Sequence, residues 1–190
     1  MSSLSCHFSP HPPPAPRANT HDQLLHEISP KLIEYAAENA REMIFAPSKF
    51  PLMFQYIACF AKGDKTLIYE QLVEILGEEF IPCNVENMHM IEHKNGHFAL
   101  KHILTNDKKL KEANEATFVE YLIAHLDPNL FSSWICCNKG AFILVSMIET
   151  EIAEVKNVVL SCAKQNLGKL KKYSFKGAQV LIEKLKQSHD

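Results

Sequence analysis

Two groups of lysines are the residues of this 190-residue chain best suited to chemistry of their own. Lys101, Lys108, Lys109 and Lys111 form one, and Lys164, Lys169, Lys171, Lys172 and Lys176 form the other. A lysine ammonium is a mobile point charge that pairs with phosphate without reading a base. Lysines gathered on one surface therefore bind nucleic acid in a salt-dependent, sequence-independent way. The competing reading is a solvated surface kept for solubility. Net charge is only −2, but it is divided unevenly. Residues 1–100 carry 7 Lys/Arg against 12 Asp/Glu, and residues 101–190 carry 13 against 10. From Val155 to the end, 8 lysines face only Glu183 and Asp190. A basic C-terminal third points to an anionic partner.

Other residues imitate chemistry without its context. His89, Glu92 and His93 match H-x-x-E-H, which on a helix would set two histidines on one face for zinc with the glutamate as base. Asn95-Gly96 is expected to end such a helix two residues later, so we read these histidines as packing groups. Cys136-Cys137 follows Trp134 and Ile135 with no histidine or acid nearby in sequence, and reads as buried packing. The six cysteines include no C-x-x-C pair and read as small hydrophobes in a reducing compartment. Trp134, Phe98 and Phe142 are expected in the core. Only 6 glycines are present, too few for a phosphate-cradling loop. No nucleophile has an ordered base, so no enzyme, metal site, cofactor or small-molecule substrate is expected.

The elements that must carry the lysines are helical. Hydrophobic residues make up 46% and charged residues 22%, ordinary for a globular chain with a core. No apolar run is long enough to span a membrane. Residues 1–19, MSSLSCHFSPHPPPAPRAN, hold five prolines from Pro10 to Pro16 and form an expected disordered leader. Residues 20–187 form the expected domain. Thr20 and Gln23 have capping-box spacing, and Ser29-Pro30 predicts a cap and first-turn proline for a new helix. Gly63-Asp64 separates two further helices. Apolar stripes follow at Leu67, Ile68, Leu72, Ile75 and Leu76, then at Phe118, Val119, Leu122, Ile123 and Leu126 before Pro128, and at Val155, Val158, Val159 and Cys162. About eight to ten helices joined by short loops are predicted. Four segments echo one another: SKFPLMFQYI from Ser48, GHFALKHIL from Gly96, GAFILVSMI from Gly140 and GAQVLIEKL from Gly177. Helical repeats at such spacing predict an all-α solenoid. Its upstream face, near Asp22 to Ile44, is expected to pack on the leader or to leave the protein prone to associate.

At these segments a family resemblance emerges. Gly96 to Glu112, GHFALKHILTNDKKLKE, is similar to a block of the Puf-A/Penguin family of Pumilio-like proteins. FVEYL, LFSSW, NKGAFIL and KGAQVLIEKL follow in that family's order, and ISPKLIEYAAENA precedes them. The similarity runs from about Asp22 to Gln187, the family's C-terminal part with its CPL region. It implies a right-handed superhelix of Pumilio-like, armadillo-like repeats that binds RNA or DNA with little sequence preference. It further implies a nuclear, nucleolar role in ribosomal RNA processing and ribosome biogenesis, with translational control in some members. Lacking upstream repeats and a basic tail, the chain departs from that pattern.

Pumilio repeats read one base each through two edge-binding side chains and a stacking one. Carried over by position, these are Lys49, Phe50 and Met53, then His97, Phe98 and Lys101, then Ala141, Phe142 and Val145, and finally Ala178, Gln179 and Ile182. Ala, Val, Met and Ile offer nothing to a base edge, so no sequence code is expected. Only the repeat with His97 and Lys101 keeps polar groups at both positions. The expected interface is therefore His97, Lys101 and the remaining eight lysines named above. The alternative function is a scaffold that docks ribosome-assembly proteins without touching RNA. The acidic residues Glu70, Glu74, Glu78, Glu79, Glu86 and Glu92 suit that reading.

Overall fold

The computed structural model describes residues 20–187, and among these every regular element is helical. The elements are α1 (Thr20–Glu38), α2 (Ala40–Phe45), α3 (Phe50–Phe60), α4 (Thr66–Leu76), α5 (Lys94–Glu112) and α6 (Phe118–His125). After a 3-10 turn at Pro128–Leu130 come α7 (Phe131–Trp134), α8 (Asn138–Glu149), α9 (Ala153–Gln165), α10 (Leu167–Leu170) and α11 (Lys176–Gln187). The leader, residues 1–19, lies outside the described residues.

The helices make two layers, as the repeat predicts. In the first, α3 packs on α5, α5 on α8 and α8 on α11. In the second, α1 packs on α4, α4 on α6 and α6 on α9. The first-layer helices run parallel. The Gly177 N–H donates to Asn138 Oδ1 at 2.8 Å where α11 and α8 begin, and Lys184 meets Glu149 at 3.2 Å where they end. Likewise Asn95 Nδ2 donates to the Ala46 carbonyl at 3.0 Å before α3, and Asn106 Nδ2 to the Cys59 carbonyl at 3.2 Å near its end. Each second-layer helix carries the chain back, so the solenoid has one edge of first-layer N-termini and an opposite edge of their C-termini.

Glycine recurs because adjacent repeats approach closely. A Cβ on Gly140 would lie 2.3 Å from the Trp134 carbonyl oxygen, and one on Gly177 would lie 2.6 Å from the Asn138 carbonyl oxygen. A Cβ on Gly96 would meet Met90 Cγ at 3.0 Å. Trp134 is fully buried, with Phe131 edge-on at 4.9 Å, and the core continues through Phe54, Leu72, Leu100, Phe118 and Leu144.

Several local expectations change. Helix α1 runs straight through Ser29-Pro30. Proline removes one N–H, but the Ser29 hydroxyl donates to the Leu25 carbonyl and accepts from the Lys62 N–H at 2.8 Å, so the segment stays tied into tertiary structure. Residues 77–93 form a long stretch of turns, not a short loop or a helix. His93 caps α5, its Nδ1 accepting from the Gly96 N–H at 3.1 Å. Asn95-Gly96 thus opens a helix where the sequence pattern suggested an end. Leu67 is exposed beside the buried Ile68, and Phe98 is exposed on α5 instead of in the core.

Candidate nucleic-acid interface

Two opposed edges receive the two lysine groups, because α5 is long and its lysines sit at its end. Lys108, Lys109 and Lys111 lie at the C-terminal edge of the first layer. There Lys108 pairs with Glu151 at 2.9 Å and Lys111 with Glu120 at 2.6 Å. A cleft of about 440 Å³ at this edge mixes Lys108, Lys156 and Lys184 with Glu149 and Glu151. Opposite charges cancel much of the field an anion would feel. Lys101 is exposed midway along α5, beside Phe98.

The other group gathers at the N-terminal edge. Helix α9 returns to this edge, α10 crosses it, and α11 starts from it. Lys164, Lys169, Lys171, Lys172 and Lys176 are therefore neighbours in one region, all exposed. No ion pair involves any of them among the described residues. Between Val155 and Ile182 the chain has six lysines and no acidic residue. The same edge carries Lys49, Lys94 and Lys139, each at the start of a first-layer helix, with Lys139 Nζ donating to the Glu92 carbonyl at 2.6 Å. Parallel helix N-termini add positive potential to these ammonium groups. Only Lys49 of these three entered the sequence reading, as a base-reading position. The signal was the repeat itself, which places Lys94, Lys139 and Lys176 at or just before each recurring glycine.

His97 belongs elsewhere than the sequence suggested. It is buried, and desolvation, with help from Lys139 and Lys101, pushes its imidazole down to about 4. A neutral, inward-facing ring packs the core and does not reach phosphate. Ala141, Val145 and Ala178 are buried as well.

The remaining polar groups serve the fold. Buried Asp107 accepts from the Phe118 N–H at 3.0 Å and the Val119 N–H at 2.8 Å, capping α6 from the end of α5. Burial pushes its carboxyl up to about 7, against those two donors and Lys65. His89 is buried, its Nδ1 accepting from the Ile91 N–H at 3.2 Å. No three His, Cys, Asp or Glu side chains among the described residues form a group able to hold a metal ion. Burial pushes the Cys59 and Cys137 thiols up to about 11, away from reactive thiolate. Cys137 Sγ accepts from the Gly140 N–H at the start of α8; Cys136, read as buried packing, is half-buried, and Cys83 is exposed.

Known proteins share this fold. Residues 16–116 match the CPL (NUC119) domain. The chain belongs to the CPL (NUC119) domain family. Over 167 residues it is 32% identical to human Pumilio homolog 3, an alignment covering 86% of this chain and 26% of that protein. Pumilio domain-containing protein 12 of Caenorhabditis elegans is 26% identical over 174 residues, covering 86% of this chain and 22% of that protein. The chain thus spans about a quarter of the length of these curated relatives. The crystal structure of human Puf-A superposes with a TM-score of 0.78 at 31% identity, covering 86% of this chain and 32% of that one. That of human Puf-A in complex with DNA superposes with a TM-score of 0.73 at 30% identity, covering 85% of this chain and 30% of that one. The resemblance to Puf-A and the Pumilio-like helical fold both hold.

Proposed function

We propose that this CPL-family chain binds RNA or DNA without sequence preference, through lysine contacts to phosphate along the N-terminal edge of its first helical layer. One observation carries the reading: the exposed cluster of Lys164, Lys169, Lys171, Lys172 and Lys176 has no acidic partner among the described residues. Ammonium groups held without internal partners have their charge available to an external anion. The human Puf-A complex with DNA supports nucleic acid as that anion. Lys139, Lys94 and Lys49 extend the track towards the first repeat, and Lys101 faces solvent on α5. Lys108 and Lys111 contribute little, being paired with Glu151 and Glu120. We place the activity in ribosome biogenesis in the nucleolus, alongside ribosome-assembly proteins, on the strength of the Puf-A resemblance. The chemistry is binding, without catalysis.

The test uses the full chain, single-stranded and duplex RNA of several sequences, and a salt series. Each single-strand phosphate contact contributes a slope of about −0.7 in log affinity against log salt. The Lys169→Glu, Lys171→Glu, Lys172→Glu, Lys176→Glu variant should flatten that slope by about 3 if all four touch phosphate. Lys108→Glu with Lys111→Glu should change it by less than about 1. Absence of binding at low salt, or equal loss from both variants, would refute the assignment.

A further inference from the structure

Most hydroxyl groups of the chain serve its fold. Ser29, Thr117, Ser146 and Thr150 are buried, and the Ser48 hydroxyl accepts from the Phe50 N–H at 3.3 Å. Among the described serines and threonines, Ser174 alone is exposed, outside every helix and without a hydrogen bond at its hydroxyl. It lies between α10 and α11, where the chain is well anchored. The Tyr173 N–H donates to the Leu170 carbonyl at 3.2 Å, and Gln179 Nε2 donates to the Ser174 carbonyl at 3.2 Å. The half-buried Tyr173 and Phe175 rings stack with centroids 5.1 Å apart. Both neighbours turn inward together while Ser174 stays exposed, which is the alternation of an extended segment.

Positive charge surrounds this hydroxyl. Lys171 and Lys172 stand three and two residues before it and Lys176 two after it, and no acidic residue occurs between Val155 and Ile182. A protein kinase with an acidic cleft binds such a segment. The cleft takes it in extended form and selects the lysines before the hydroxyl by charge complementarity.

We propose that Ser174 is a phosphorylation site and that its phosphate displaces nucleic acid from the N-terminal edge. The regulation rests on the binding function assigned to that edge. In the step, Ser174 Oγ forms a bond to the terminal phosphorus of a nucleoside triphosphate and the bond from that phosphorus to the bridging oxygen breaks. The hydroxyl proton passes to a base of the kinase, and the nucleoside diphosphate leaves. Phosphoserine carries about −1.5 to −2 charges near pH 7 and three acceptor oxygens. Tethered within three residues of Lys171, Lys172 and Lys176, it occupies ammonium groups that otherwise meet a nucleic-acid phosphate. Neutralising about two lysines removes about two contacts, each contributing about −0.7 to the slope of log affinity against log salt. The slope then flattens by about 1.4, which at about 0.1 M salt is a loss of about 25-fold.

The full chain, incubated with ATP and a serine kinase selective for basic residues two and three positions before the serine, tests this. Mass spectrometry should place phosphate on Ser174. Binding to single-stranded RNA is then measured across a salt series for the phosphorylated chain, the parent and Ser174→Ala. The phosphorylated chain should bind about 25-fold more weakly at about 0.1 M salt, with the flatter slope. Ser174→Ala, treated with the same kinase, should keep the parent's affinity. No phosphate at Ser174, or a phosphorylated chain with the parent's affinity and slope, would overturn the proposal while the binding function stands. A parent chain that binds no RNA at low salt would refute the function and the regulation together.

Discussion

Gly140→Ala tests the packing that joins one repeat to the next. The new Cβ would lie 2.3 Å from the Trp134 carbonyl oxygen, 2.9 Å from its carbonyl carbon and 3.0 Å from its Cα. All three are backbone atoms of a residue whose side chain is fully buried. Relief therefore requires α7 to move away from α8, opening the core around Trp134 and Phe131. Overpacking typically costs about 1–3 kcal/mol, and backbone contact places this case at the upper end. Alanine recovers up to about 1 kcal/mol of helix propensity, leaving a net loss of about 2 kcal/mol. In a domain of this size that lowers Tm by roughly 4–8 °C. Gly168 supplies the control, because a Cβ there meets nothing within 4 Å. Gly168→Ala should stabilise by up to about 1 kcal/mol through the same propensity. Urea and thermal unfolding of both variants read the difference directly. If Gly140→Ala is as stable as Gly168→Ala, close approach is not why glycine recurs at the starts of these helices.

Two further outcomes follow from buried polar groups. Asp107→Ala strands the Phe118 and Val119 N–H groups in the core and should cost about 3 kcal/mol; Asp107→Asn keeps an acceptor and should cost about half, with hydrogen exchange at those two amides separating the variants. His97 has a folded value near 4 against 6.5 unfolded, so its neutral form contributes stability that is fully present above pH 6.5 and lost as pH falls towards 4. The loss reaches about 3 kcal/mol. His97→Gln should remove that share of the acid sensitivity, measured as the difference in urea midpoint from the parent chain between pH 7 and pH 4.5. An unchanged difference would place His97 in water.

Much of the fold was legible because helical periodicity and recurring glycines are local signals. The stripes Ile68, Leu72, Ile75, Leu76 and Phe118, Val119, Leu122, Leu126 are buried as their spacing implied. Pro30 misled because its missing N–H is locally decisive only when nothing distant compensates, and here the Ser29 hydroxyl also receives the Lys62 N–H from across the fold. Asn95-Gly96 misled for a related reason. Glycine reads as a helix stop, whereas here it opens a helix at a tight crossing near Met90.

By itself the sequence determined an all-helical chain, its repeat and its basic C-terminal third, because each depends on residue type and short-range spacing. The tertiary structure decided which lysines stand in ion pairs. Parallel first-layer helices carry Lys169, Lys171, Lys172 and Lys176 to one edge, without acidic partners among the described residues, and bring Lys108 to Glu151 and Lys111 to Glu120 at the other. It also turned His97 inward and left Phe98 in solvent. Charge pairing and burial depend on which residues distant in the chain become neighbours, and that is settled only when the repeats stack.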